Sequence, residues 1–250
     1  MLPGQVFVGP TAMRLWGLPL PDAWSAAEPL HVCVGPDAAP PRGAGVKGRR
    51  LVPHRARQMI FTGAAVVDPV AAVLTTRSAL GFAQLVAAFD ALLTTAANYP
   101  GIKAPRPLAT REEIRCRLEE WGRFSGCVRA RRALDMAREG AESPKESETR
   151  VLIMDHGLPE PVMQWIVRDG GDFVARIDLA YPELKIAIEY EGDGHRTEKE
   201  QWRADIRRQR RLEDLGWIVI RLTESDLTDP SAFLGRLTRA RAARLEIATA

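Results

Sequence analysis

A chain of 250 residues, 46 % apolar and 27 % charged, has the composition of an ordinary folded protein, with room for one large domain or two modest ones. Its three cysteines, Cys33, Cys116 and Cys127, share no Cys-x-x-Cys pair, which argues against a disulfide framework and a thiolate zinc site and fits a reducing cytoplasm. The net charge of +3 conceals an asymmetry: residues 1 to 141 hold 18 Lys/Arg against 11 Asp/Glu, and residues 142 to 250 hold 17 against 21. A basic half beside an acidic one points to nucleic-acid affinity in the first and cation binding in the second, while solubility alone would account for the charge as well. The opening MLPGQVFVGP lacks a secretory leader's basic-then-apolar order, and the apolar stretch 63 to 98 is interrupted by Asp68, Arg77 and Asp90. A soluble cytoplasmic protein without a membrane span is expected.

In chain order, GQVFVG, LHVCVG and QMIFTG are β-type runs ending in glycine, and residues 35 to 48, GPDAAPPRGAGVKG, form a Pro/Gly-rich loop between them. Two helices follow near 67 to 76 and 79 to 95, the second with a stripe of Leu80, Phe82, Leu85, Val86, Phe89 and Leu92. The segment REEIRCRLEEWGRF is an amphipathic helix after Thr110 as N-cap, and another runs from Cys127 to Arg138. Arginines 129, 131, 132 and 138 on that helix are placed either to meet phosphates or simply to face solvent, the latter being the commoner case. The run REGAESPKESE breaks the pattern, which puts a domain boundary at 141/142.

Beyond it, Ser143, Pro144 and Glu146 form the N-cap, first residue and first-turn acid of a helix reaching about His156. Strands over 162 to 168 and 172 to 180 flank a Gly170-Gly171 hairpin turn, and KIAIEYE is a third strand after a Tyr-Pro-Glu turn. A polar helix over 198 to 215, a strand over 217 to 222 and a helix over 230 to 247 complete the order. The expected fold is therefore an α/β C-terminal domain, 142 to 250, with a mixed sheet flanked by helices, preceded by a smaller α+β domain over 1 to 141.

Side chains alternate across a strand, so Glu189 and Glu191 share a face with Ala187. Asp178 lies across the short turn on a face with Arg176 and Val174, and whether it meets Glu189 depends on register. Three carboxylates in close range must take up protons or bind a cation. An all-oxygen donor set selects Mg²⁺ or Mn²⁺, an ion that activates water and stabilises charge on a phosphodiester. In EYEGDGHR, Gly192 and Gly194 permit a tight turn that would bring His195 to face the acids as a base, an acid or a phosphate donor. A solvated acid pair and a turn histidine are the plainer accounts of each piece alone, and they weaken when the pieces occur together. On the following helix Arg203, Arg207 and Arg210 form one basic ridge suited to phosphate, with Trp202, Ile206 and Leu215 facing the sheet. A solvated face is an equal alternative, since Glu198, Glu200, Asp205, Glu213 and Asp214 are interspersed.

The strings RIDLAYPELKIAIEYEGDGH and DIRRQRRLEDLGWIVIRLT resemble a widespread bacterial domain related to very-short-patch mismatch-repair endonucleases, within the PD-(D/E)XK superfamily. The likeness covers about residues 143 to 228 and implies a restriction-endonuclease-like fold and a metal-dependent DNA endonuclease. It makes Asp178 and Glu189 the metal ligands, puts Glu191 where the superfamily usually has lysine, and adds Glu146 and His195 to the catalytic set. It also places Asp205 and Arg208 in an Asp-x-x-Arg pair holding the helix against the site, with Arg208 among the candidate nucleic-acid contacts. More loosely, GPTAMRLWGLPLP and AVVDPVAAVL resemble regions of actinobacterial abortive-infection type IV antitoxin-group proteins, which implies substrate or protein-partner binding by the N-terminal domain. A non-catalytic nucleic-acid-binding or antitoxin-type regulator that keeps the nuclease fold is the alternative from another class, and a purely structural protein a third.

Overall fold

The computed structural model describes residues 4 to 101, 104 to 192 and 199 to 249, and it divides into two compact units, Met1–Ser147 and Glu148–Ala250. The chain is α/β, with mixed sheets flanked by helices. The division falls inside a helix a little beyond the Pro/Gly-rich run where the sequence placed it. The N-terminal unit is also the larger one, against expectation.

The first unit contains β1 (Val6–Phe7), α1 (Gly9–Trp16), β2 (Leu30–Val34), β3 (Arg42–Gly43), β4 (Val46–Arg50), β5 (Gln58–Phe61) and β6 (Ala64–Val67). The six strands form one mixed sheet in the order β3-β4-β2-β1-β6-β5, with β1 antiparallel to β2 and parallel to β6. The segment predicted as a loop over 35 to 48 thus holds β3 and the start of β4, which lies parallel to β2. Gly48 makes this possible: a Cβ there would lie 2.3 Å from the Pro41 carbonyl oxygen, so only glycine lets the proline-rich segment fold back over its own strand.

Four helices complete this unit: α2 (Pro69–Thr76), α3 (Phe82–Leu93), α4 (Arg111–Trp121) and α5 (Cys127–Met136). Asp68 caps α2 by accepting from Ala71 N at 3.0 Å, with Pro69 in the first turn, and every residue of α2 is buried. The Thr110 cap of α4 is a capping box closed by Glu113. From α4, Arg117 reaches across to Asp68 at 2.6 Å, and the two side chains are only 4 % and 9 % exposed. One carboxylate therefore serves both a helix cap and a buried ion pair.

The second division begins within α6 (Pro144–Asp155) and continues as β7 (Val162–Asp169), β8 (Asp172–Tyr181), β9 (Ile186–Tyr190), α7 (Lys199–Asp214), β10 (Ile218–Leu222), α8 (Glu224–Thr228) and α9 (Ser231–Thr249). Ser143 caps α6 as predicted, its hydroxyl accepting from Glu146 N at 3.2 Å. The sheet order is β10-β9-β8-β7, with β7, β8 and β9 antiparallel in sequence and β10 parallel to β9. Leu179, Tyr181, Ile186, Ile188, Ile220 and Leu222 pack with Phe233 and Leu237 of α9 and Ile153 of α6. A second cluster joins Ala180 and Ala187 to Leu212 of α7 and Trp217. Helices thus cover the sheet through two separate apolar clusters.

Removing Arg117 would strand the Asp68 carboxylate in the interior. We expect Arg117→Ala to cost about 3 to 5 kcal/mol in urea unfolding, the scale for a broken buried pair. A loss under about 1 kcal/mol would show that solvent or another cation replaces the guanidinium.

Candidate functional site

The hairpin joining β8 to β9 turns through a short 3₁₀ segment, Pro182–Leu184, and Lys185 closes it with φ of 48°. Pairing then runs Tyr181 to Ile186, Ala180 to Ala187 and Leu179 to Ile188. The ladder ends at that last pair, and Asp178 and Glu189 are the next residues on the two strands, Asp178 on the face of Ala180 and Glu189 on the face of Ala187. Alternation places Glu191, just past β9, on this face as well. The Asp178 carboxylate accepts from Tyr190 N at 3.3 Å, which ties the aspartate to the strand bearing the glutamate.

On the other side of Glu189 stands Arg221, its direct partner in the parallel pairing with β10. A row of Arg221, Glu189 and Asp178 therefore crosses three strands. Arg221 also lies 4.0 Å from Glu191. On β7 the pairing with β8 passes from Met163 to Trp165, and Gln164 between them has φ of 51°. A non-glycine residue in the left-handed region is a local strain, and here it falls on the strand position that faces Asp178.

Helix α7 crosses the same face. Leu212 is buried against Ala180, Ala187 and Trp217, and Arg208, one turn earlier, points the same way. Its guanidinium grips Glu189 as a fork, Nη1 to Oε1 at 2.8 Å and Nη2 to Oε2 at 3.1 Å. Asp205 lies 3.9 Å from Arg208 Nε. Glu189 is 8 % exposed, so the carboxylate end of the pair is largely shielded from water, while Arg208 stays partly exposed. Arg203, Arg207 and Arg210 are exposed, away from Arg208, so the four arginines predicted as nucleic-acid contacts fall into an outward group and one inward member. The inward-facing set includes Leu212, whereas the helical spacing names Trp202, Ile206 and Leu215 as the residues facing the sheet.

Glu146 is buried in the first turn of α6, within the first unit, where it accepts from Glu142 N at 3.1 Å. His195 lies outside the described residues. Among the described residues no group of three or more His, Cys, Asp or Glu side chains is gathered to hold a metal ion. Arg208 supplies positive charge to Glu189 in this arrangement. For a hard divalent ion, the carboxylate oxygens of Asp178 and Glu189 are the right kind of donor. Both Glu189 oxygens are held by Arg208, so the donor set fits such an ion once that guanidinium releases the carboxylate. Arg221, which sequence reasoning left without a role, is a second cation on the same face. The strand alternation around Glu189 and Val219 could have flagged it.

No family model matches the chain, and no solved structure matches it. It is similar to two uncharacterized proteins of Mycobacterium tuberculosis, Rv2248 of strain ATCC 25618 / H37Rv and MT2308 of strain CDC 1551 / Oshkosh. Each is 34 % identical over 151 residues, which cover 55 % of this chain and 55 % of the relative. The chain thus spans about half the length of the curated relatives it matches. No helix among the described residues is long and apolar enough to cross a membrane.

A double-mutant cycle isolates the fork. For Arg208→Ala and Glu189→Gln we expect a coupling of roughly 1 to 2 kcal/mol in urea unfolding, the lower part of the range for charged hydrogen bonds because Arg208 is partly exposed. A coupling near zero would mean the fork contributes nothing to holding α7 on the sheet.

Proposed function

We propose that the C-terminal unit is a metal-dependent DNA endonuclease of the restriction-endonuclease-like class, which hydrolyses phosphodiester bonds and leaves nicks. The observation that supports this best is the β8/β9 register, which puts Asp178 and Glu189 just beyond the end of the ladder on the face that carries Ala180 and Ala187. The order helix, three antiparallel strands, helix and parallel strand also supports it, and so does the sequence resemblance to the very-short-patch-repair-like domain.

Asp178 and Glu189 are the residues that would hold Mg²⁺ or Mn²⁺, and such an ion would lower the pKa of a bound water and offset charge on the phosphate. The chain's own contribution is electrostatic placement. Arg221 beside Glu189 and Arg208 above it supply positive charge on a face whose Glu191 stands in the position of the superfamily's usual lysine. Arginine offers a planar pair of donors to phosphate and keeps its charge at any working pH. It is consequently suited to bind the phosphodiester and unsuited to act as a general base. Tyr190 N fixes one Asp178 oxygen and so limits the rotamers of that side chain.

A second reading is a nucleic-acid-binding regulator that keeps the fold without cleavage. The Arg208 fork on both oxygens of Glu189 favours it, because a satisfied ion pair is a stable resting arrangement in its own right.

Supercoiled plasmid separates the two. With Mg²⁺ or Mn²⁺ the parent protein is expected to convert it to the open-circular form, and EDTA to stop the reaction. Asp178→Ala and Glu189→Gln should each lower the rate at least about a hundredfold, the scale for losing an electrostatic element of a catalytic site. Absence of nicking across metals, or equal nicking by Asp178→Ala, would leave the regulator as the surviving account.

A further inference from the structure

In the first unit, three arginines converge where α2 ends and the turn from α4 to α5 passes. Arg49 of β4 donates to the Thr75 carbonyl at 3.1 Å. Arg77 follows α2 and donates to the Leu74 carbonyl, and through Nε to the Ser125 carbonyl at 2.6 Å. Arg55 donates to the Trp121 and Arg123 carbonyls at 2.5 and 3.0 Å. Two of the guanidiniums lie over aromatic rings, Arg55 over Trp121 at 5.5 Å and Arg77 over Phe124 at 4.8 Å. All three are half-buried and reach solvent.

Their acceptors are main-chain carbonyls at the C-terminal ends of α2 and α4, with Ser125 O in the turn that leads into α5. Each helix C-terminus carries about half a negative charge, so two offset roughly one of the three positive charges. The acid at the end of α4, Glu120, already serves Arg117 at 2.6 Å and Arg57 at 3.2 Å. Burial and then the like charges of Arg49 and Arg55 lower the Arg77 pKa, while Cys127 acts the other way. Among the described residues, about two positive charges thus stand fixed and uncompensated, with exposed Lys47, Arg50 and Arg123 on the neighbouring segments. Carbonyl bonds and ring stacking hold the guanidiniums in place before any ligand arrives, which reduces the side-chain entropy given up on binding.

We propose that this cluster, Arg49, Arg55 and Arg77, is a docking surface for the phosphodiester backbone of duplex DNA. Charge complementarity identifies the occupant, and the choice of DNA rests on the nuclease reading of the second unit. Backbone contacts of this kind position a duplex without selecting its sequence. The N-terminal unit would accordingly hold substrate in a sequence-independent manner.

Fluorescence anisotropy of a labelled 20-base-pair duplex, with the full chain in EDTA, tests this apart from cleavage. The parent should bind with an affinity that falls steeply with salt. In Arg49→Gln/Arg77→Gln the slope of log affinity against log salt should shrink by about 1.8, or about 0.9 for each phosphate no longer neutralised. Affinity at 0.1 M salt should fall about tenfold or more. Arg49→Lys/Arg77→Lys should retain the slope, which excludes misfolding as the cause. The proposal is overturned if the parent shows no binding up to about 100 μM, the weak end of nonspecific DNA affinity, or if the glutamine variant keeps the parental slope. It is also overturned if only double-stranded RNA is bound. Binding without plasmid nicking would remove the nuclease reading and leave this surface standing.

Discussion

The β8/β9 pairing sets everything else at the candidate site. Strand side chains alternate with a period of two, so a slip by one residue would exchange the faces of the entire strand. The slip is opposed on both sides. Leu179, Tyr181, Ile186 and Ile188 belong to one buried cluster, while Ala180 and Ala187 belong to the other. A one-residue slip would put each of these sets against the wrong layer. Because the apolar residues set the faces, the two acids just beyond the ladder share the face of Ala180 and Ala187. Asp178 and Glu189 are brought together by the packing of their neighbours.

The same logic explains the arginine. Leu212 docks α7 onto the small side chains Ala180 and Ala187, and a helix places Arg208 one turn before Leu212 on the same stripe. The small residues let the helix lie close, and closeness brings the guanidinium within reach of Glu189. The resulting fork resolves the electrostatic problem that three acids on one face would pose. On the proposed metal-dependent reading, a divalent ion would have to displace Arg208 from the same two oxygens, and a phosphate would offer the guanidinium a new partner.

Much of the chain beyond residue 142 was legible because its signals are local and repeated: Ser143 and Pro144 at a helix start, Gly170-Gly171 between two strands, and alternation through KIAIEYE. Asp178 was identified but not placed, because register depends on a cross-strand fit that sequence spacing does not contain. The resemblance sets Arg208 against the site in its Asp-x-x-Arg pair, whereas counting it with Arg203, Arg207 and Arg210 as a nucleic-acid contact groups it with arginines that face outward, because composition does not reveal which side of α7 turns inward. In the first unit β4 was missed. VKGRR lacks branched residues beyond its first, and its place in the sheet depends on Pro41 crossing Gly48, an approach between residues that look like loop. The arginine cluster was equally hidden, because Arg49, Arg55 and Arg77 come from three separate segments and meet only through the carbonyls they cap.

Iron-directed backbone cleavage tests the central claim most directly. Fe²⁺ substituted for the divalent ion, with ascorbate and peroxide, produces radicals that cut the chain next to the bound metal. The account requires two cuts, one near Asp178 and one near Glu189, both suppressed by excess Mg²⁺ and absent in Glu189→Gln. Cuts at other positions, or the same cuts in Glu189→Gln, would show that this pair of carboxylates does not hold the ion.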